Sequence, residues 1–129
     1  MSTRDDQIRV EDVMSTPLET ISSDAAVEAA AARMRDDDIK ALLVPGAEMG
    51  IVTSTDILEA VAAGWDVADL RVEEVATIPV ETVTTDLQMN EAAAMMTNFG
   101  INHLPVVDGD GDYAGMVSST DVTAALSQE

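Results

Sequence analysis

The sequence predicts an α/β fold of the α+β kind, in which a β-α-β-β-α unit occurs twice and the two copies pack through their sheets about a pseudo-twofold axis. Two observations predict it. Setting VEDVMSTPLETISSDAAVEAAAARM (10–34) over VEEVATIPVETVTTDLQMNEAAAMM (72–96) brings valines, prolines, ET pairs and aspartates into register at an offset of 62 (86 − 24). Further on, GIVTSTD at 50–56 returns as GMVSSTD at 115–121, where the offset has grown to 65 (121 − 56). The extra residues fall in a turn, PGAEMG against VDGDGDYAG, where a folded unit tolerates insertion. The copies are therefore bounded at 8–63 and 72–127, with GWDVADLR (64–71) as the linker. A unit of this size buries too little surface to stand alone, so the two are expected to make one body.

Each copy then reads in order. A VEDV or VEEV turn leads through Pro17 or Pro79, which stop any helix, into Leu18 to Ile21 or Val80 to Val83, whose alternation suits a strand. Asp24 and Asp86 stand where they can cap the next helix. In those helices Val27, Ala30, Ala31 and Met34, and likewise Met89, Ala92, Ala93 and Met96, repeat at i, i+3, i+4, i+7 and form a core stripe. The methionines fill that core; they are not a cofactor box. Two short apolar strands follow, ALLV and GIVT in the first copy, HLPVV and AGMVS in the second. A closing helix, TDILEAVAA or TDVTAALSQ, ends the unit.

Charge narrows the partners. In 129 residues, 25 are acidic and 6 basic, a net charge of −19, while 47 % are hydrophobic. A core is available, and nucleic acid and anionic membranes are excluded, because both require clustered Lys and Arg. Such a charge strains a folded chain in dilute buffer; at molar salt the screening length falls to about 3 Å and the strain fades. The composition, with Lys40 the single lysine, matches a cytoplasmic protein of a salt-accumulating halophilic prokaryote; the alternative is a merely acidic mesophilic protein. No cysteine is present, so disulfides and thiolate metal sites do not arise. The start, MSTRDDQIRV, has no apolar signal core, and no apolar run approaches membrane-spanning length.

The repeated TSTD and SSTD have two readings. A Ser or Thr followed three residues later by an acid is a capping box, which satisfies the orphan N–H groups of a helix start without any ligand. The same hydroxyl and carboxylate, on neighbouring sides of the first helical turn with free backbone N–H groups beside them, can also reach one small ligand. Elsewhere the chemistry is bland. DGDGD (108–112) suggests a calcium loop, yet Tyr113 stands where the loop requires glycine and Ser119 where it requires the bidentate glutamate, so a hairpin turn explains it better. His103 is the single histidine and reads as structural; Arg33 and Arg35 read as solvated surface. No P-loop, HExxH or Ser/His/Asp arrangement supports an enzyme.

A tandem β-α-β-β-α repeat with G-h-h-[ST]-x-x-D closing its last strand resembles the cystathionine β-synthase (CBS) domain pair, or Bateman module, from about Val10 to Leu126. The resemblance implies a regulatory module, not an enzyme and with no cofactor requirement, that holds an adenosine-containing ligand (AMP, ADP, ATP or S-adenosylmethionine) in clefts between the repeats. It implies that Thr53 and Ser118 lie near the phosphate or ribose, and that Asp56 and Asp121 accept from the ribose hydroxyls. Thr16, Leu18, Lys40 and Ala41 would line the cleft opposite Asp121, and Ile78, Val80, Asn102 and His103 the cleft opposite Asp56. It implies further a disc-like homodimer built from apolar helix faces, with Ile57, Val61, Val122 and Leu126 as candidates, and an unidentified regulated protein. The alternative is a scaffolding dimerisation module with empty clefts. The scarcity of positive charge favours a ligand with little net negative charge, or one whose phosphates meet a metal ion and helix ends.

Overall fold

The chain's leading segments decide how it divides. The computed structural model describes residues 8–16 and 18–127; Pro17, expected as a helix breaker, lies outside them. Among the described residues two compact units form, one from Glu19–Val80 and the other from the residues before Glu19 together with those from Glu81 onward. Each repeat's leading segment thus folds with the helices and strands of the other repeat.

In the Glu19–Val80 unit, α1 (Val27–Asp37), β1 (Ala41–Val44), β2 (Gly50–Thr53), α2 (Ser54–Ala62) and the short α3 (Val72–Val75) follow in order. β1 and β2 form an antiparallel hairpin with Ala41 opposite Thr53 and Val44 opposite Gly50. Leu42, Val44, Val52, Ala30, Met34 and Val72 close the core, so the expected stripe of α1 does face inward. The strand expected at Leu18 to Ile21 is reduced to one parallel bridge, Thr20 to Leu43. It is held there by the Ile21 N–H on the Leu43 carbonyl (2.9 Å) and the Leu43 N–H on the Glu19 carbonyl (3.0 Å). Arg33 fastens it to α1: its guanidinium donates to Glu19 Oε1 (2.6 Å) and to the Thr20 carbonyl (3.2 Å). The expected solvated role of Arg33 therefore gives way to a clamp. The carboxylate of Glu19, then that of Asp37, hold its pKa above the ordinary arginine value, so the clamp stays charged throughout the physiological range.

The other unit carries β3 (Val83–Thr84), α4 (Met89–Phe99), β4 (His103–Val107), β5 (Tyr113–Ser118) and α5 (Ser119–Leu126). β3 runs parallel to β4, and β4 antiparallel to β5, with a register shift between Val106 and Val107. Val10, Met89, Ala92, Met96, Leu104, Val106, Val117 and Val122 make its core. At 108–112 the Asp108 carboxylate accepts from the N–H groups of Asp110 (2.9 Å) and Asp112 (3.0 Å), the Asx geometry of a tight turn.

The first helices of both units correct one expectation. Ala26 and Gln88, not Asp24 and Asp86, stand at the N-caps of α1 and α4. The helix starts are instead sealed by backbone from elsewhere in the unit: the Val27 N–H on the Leu70 carbonyl (2.8 Å), the Met89 N–H on the Ile8 carbonyl (3.1 Å). The carbonyls of Asp24 and Asp86 accept from the guanidinium groups of Arg71 (2.9 Å) and Arg9 (2.5 Å). Those arginines precede VEEV and VEDV at the same place in the repeat, so each leading segment clamps the other repeat's first helix.

Candidate functional site

The repeated motif sits at a strand-to-helix junction in each unit. Thr53 ends β2 in extended conformation (φ −123°, ψ 166°) and Ser118 ends β5 likewise (φ −111°, ψ 164°), so each serves as the N-cap of the helix that follows. The capping boxes are closed in both directions. The Thr53 N–H donates to Asp56 Oδ2 (2.8 Å), the Thr53 hydroxyl donates to the same oxygen (3.0 Å), and the Asp56 N–H donates back to Oγ1 (3.4 Å). In the other unit the Ser118 N–H donates to Asp121 Oδ2 (2.9 Å) and the Asp121 N–H to Ser118 Oγ (3.2 Å). Each carboxylate spends one oxygen on the cap. A carboxylate accepts about four hydrogen bonds, so capacity for a ligand hydroxyl remains on a group that is half-buried and already oriented.

The glycine that opens each motif has a positional reason. A Cβ on Gly50 would lie 2.6 Å from Ile78 Cγ1 and 3.1 Å from the Thr77 carbonyl oxygen. On Gly115 it would lie 2.7 Å from Met14 Sδ and 2.9 Å from the Ser15 carbonyl oxygen. The missing side chain lets the leading segment of the other repeat run against the motif strand, bridged as Ile51 to Thr77 and Ser15 to Met116.

That crossing fixes where the expected lining residues stand. Ile78, in a cis peptide with Pro79, and Val80, whose N–H donates to the Met49 carbonyl (2.9 Å), belong to the unit of Thr53 and Asp56. Thr16, which follows the Ser15 bridge, and Leu18 belong to the unit of Ser118 and Asp121. Lys40 and Ala41 fall in the unit of Thr53 and Asp56, and Asn102 and His103 in that of Ser118 and Asp121. Ala41 pairs with Thr53 and His103 with Ser118, while the Lys40 and Asn102 carbonyls accept the N–H groups of Ser54 (3.0 Å) and Ser119 (2.9 Å). Lys40 and Ala41 are thus neighbours of Asp56 inside its unit, and Asn102 and His103 neighbours of Asp121. The reason is local: a hairpin pairs a middle strand with the motif strand of its own repeat.

Two features were not foreseen. An open groove of about 380 Å³ runs between α4 and α5 in the Asp121 unit, with Met96, Ile101 and Val122 as apolar lining and Thr97, Asn102 and Ser119 among the polar groups. The other is that exposed Leu58 and Trp65 extend the expected Val61 into a stripe along α2 and its end. Of the residues expected to form an apolar helix face, Val61 is 54 % exposed, but Val122 is buried in the core and Ile57 and Leu126 pack against the cores of their units. The Asp108, Asp110 and Asp112 carboxylates lie within 4.8 Å of one another, on the turn that Asp108 organises. No helix among the described residues is long and apolar enough to cross a membrane.

Comparison with known proteins agrees with this geometry. The family model described as "CBS domain" matches residues 10–63 and again 72–128. A putative signal-transduction protein with CBS domains from Burkholderia ambifaria superposes with a TM-score of 0.85 at 30 % identity, covering 94 % of this chain and 95 % of its own. The CBS domain pair of protein MJ0100, solved in complex with 5′-methylthioadenosine and S-adenosyl-L-methionine, gives 0.82 at 28 % identity, covering 93 % and 96 %. Among curated relatives, an uncharacterized 17.7 kDa protein of Acidianus ambivalens is 31 % identical over 92 % of this chain and 73 % of its own. Homoserine O-acetyltransferase of Methanosphaerula palustris is 35 % identical over 88 % of this chain, which spans only 23 % of that enzyme.

Proposed function

The chain belongs to the CBS domain family, and from that premise we propose that it is a regulatory module whose Thr53–Asp56 and Ser118–Asp121 pairs hold the ribose of an adenosine-containing ligand. The observation that carries this reading is the recurrence, at equivalent strand-to-helix junctions, of a capped carboxylate with acceptor capacity to spare. A vicinal diol donating to such a carboxylate gains on the order of 1.5–3 kcal/mol, about ten- to a hundredfold in affinity. The bound S-adenosyl-L-methionine and 5′-methylthioadenosine of the MJ0100 pair support the ligand class. So does the chemistry here: with net charge −19 and few cations, a ligand of low negative charge meets less repulsion than ATP. The match to a fraction of homoserine O-acetyltransferases supports a sensing role beside a catalytic body, whether appended or separate, and not catalysis by this segment.

Thermal unfolding with AMP, ADP, ATP and S-adenosylmethionine tests it. At a hundred times its dissociation constant the right ligand adds about 2.7 kcal/mol of stability, and Asp56→Ala or Asp121→Ala removes that gain. A midpoint that no ligand moves returns the motif to a helix cap. The second reading, a scaffolding homodimer with empty clefts, is favoured by Leu58, Val61 and Trp65, which are 69 %, 54 % and 63 % exposed.

A further inference from the structure

The two motif sites are alike in backbone and unlike in charge. Lys40 and Asn102 occupy one place in the repeat, each lending its carbonyl to the first N–H of a motif helix. One side chain is a cation and the other a neutral amide. The described arginines are all engaged: Arg9 and Arg71 on backbone carbonyls, Arg33 on Glu19 and Arg35 on Asp36. Lys40 is exposed, and it alone among the described lysine and arginine residues has neither a side-chain hydrogen bond nor an ion pair. In a chain of net charge −19, an exposed unpaired lysine whose backbone joins the start of the motif helix is a local positive charge in a negative field. Beside Asn102 lies the α4–α5 groove instead, whose lining contains no ionisable side chain. An anion entering it would lose hydration with no cation to compensate.

We propose that the two sites sort ligands by charge: the Thr53–Asp56 site, beside Lys40, takes a phosphorylated nucleoside, and the Ser118–Asp121 site, beside Asn102 and the neutral groove, takes an unphosphorylated one. This rests on the reading that the motif aspartates hold the sugar. Calorimetric titration of the full chain with AMP and with adenosine, at about 0.15 M salt, tests both layers. In the wild type AMP and adenosine fill different sites, so each still binds when the other is saturating. Lys40→Asn lowers AMP affinity about tenfold more than adenosine affinity, and Asn102→Lys creates a second AMP site about tenfold tighter than before. Mutual displacement of the two ligands at every site, or AMP binding indifferent to position 40 but lost in Asp56→Ala, overturns the sorting and leaves the ribose reading standing. Failure of the wild type to bind either compound overturns the sorting, and the ribose reading then falls too if S-adenosylmethionine, ADP and ATP also leave the unfolding midpoint unmoved.

Discussion

On the proposed reading, Asp56 and Asp121 serve two ends with one side chain. Each closes a capping box through Oδ2, a task any helix start can assign to an acid three residues beyond a hydroxyl. The two roles separate by substitution. Without ligand, Asp56→Ala or Asp121→Ala costs about 1 kcal/mol of unfolding free energy, whereas Asn, which still offers an amide oxygen to the cap, costs less. With ligand, the Asn variants lose the charge-assisted bond, so they bind weakly while remaining nearly as stable as the wild type. Urea unfolding beside ligand titration reads both quantities; an Asp56→Asn variant that keeps full affinity would limit that aspartate to capping. His103 and Asn102 show how far a residue can be read without coordinates. Their place on the strand beside the motif strand was legible, but the Asn102 carbonyl that accepts the Ser119 N–H was not, because that contact depends on the register of the hairpin.

At the scale of elements, the motif glycines are placed by a crossing. Gly50 and Gly115 accept the leading segment of the other repeat at distances no Cβ allows. Substitution by alanine forces backbone apart, and destabilisation of about 1–3 kcal/mol is expected for each. Gly115→Ala should cost more, since a Ser15 backbone oxygen lies 2.9 Å from the added carbon, while at Gly50 the closest atom belongs to the Ile78 side chain. Chemical denaturation of the two variants ranks them, and equal costs near zero would show that the crossing adjusts freely. The capping aspartates failed as an expectation for a related reason. Asp24 and Asp86 precede good helices, but the helix starts are sealed by carbonyls of distant segments, Leu70 and Ile8, which no local pattern announces.

For the whole molecule the net charge of −19 is the dominant long-range quantity. Repulsion among exposed carboxylates weakens as the screening length shrinks from about 10 Å at 0.1 M salt to about 3 Å at 1 M. The urea midpoint should therefore rise steeply over that range, in sodium and potassium chloride alike, because screening is indifferent to the cation. A flat response would remove self-repulsion from the account of this fold and, with it, the physical basis of the halophilic reading.

The sequence by itself determined the repeat, its hairpin strands and longer helices, and the identity of the motif residues, because these rest on short-range physics: apolar periodicity, turn composition and the spacing of a hydroxyl from an acid. Only the tertiary structure decided that the starts of α1 and α4 are sealed by the Leu70 and Ile8 carbonyls, that the strand expected at Leu18 to Ile21 shrinks to one bridge, and that Arg9 and Arg71 are clamps. Those outcomes depend on which distant backbone groups satisfy one another, and a hydrogen bond between residues far apart in the chain leaves no local pattern to read.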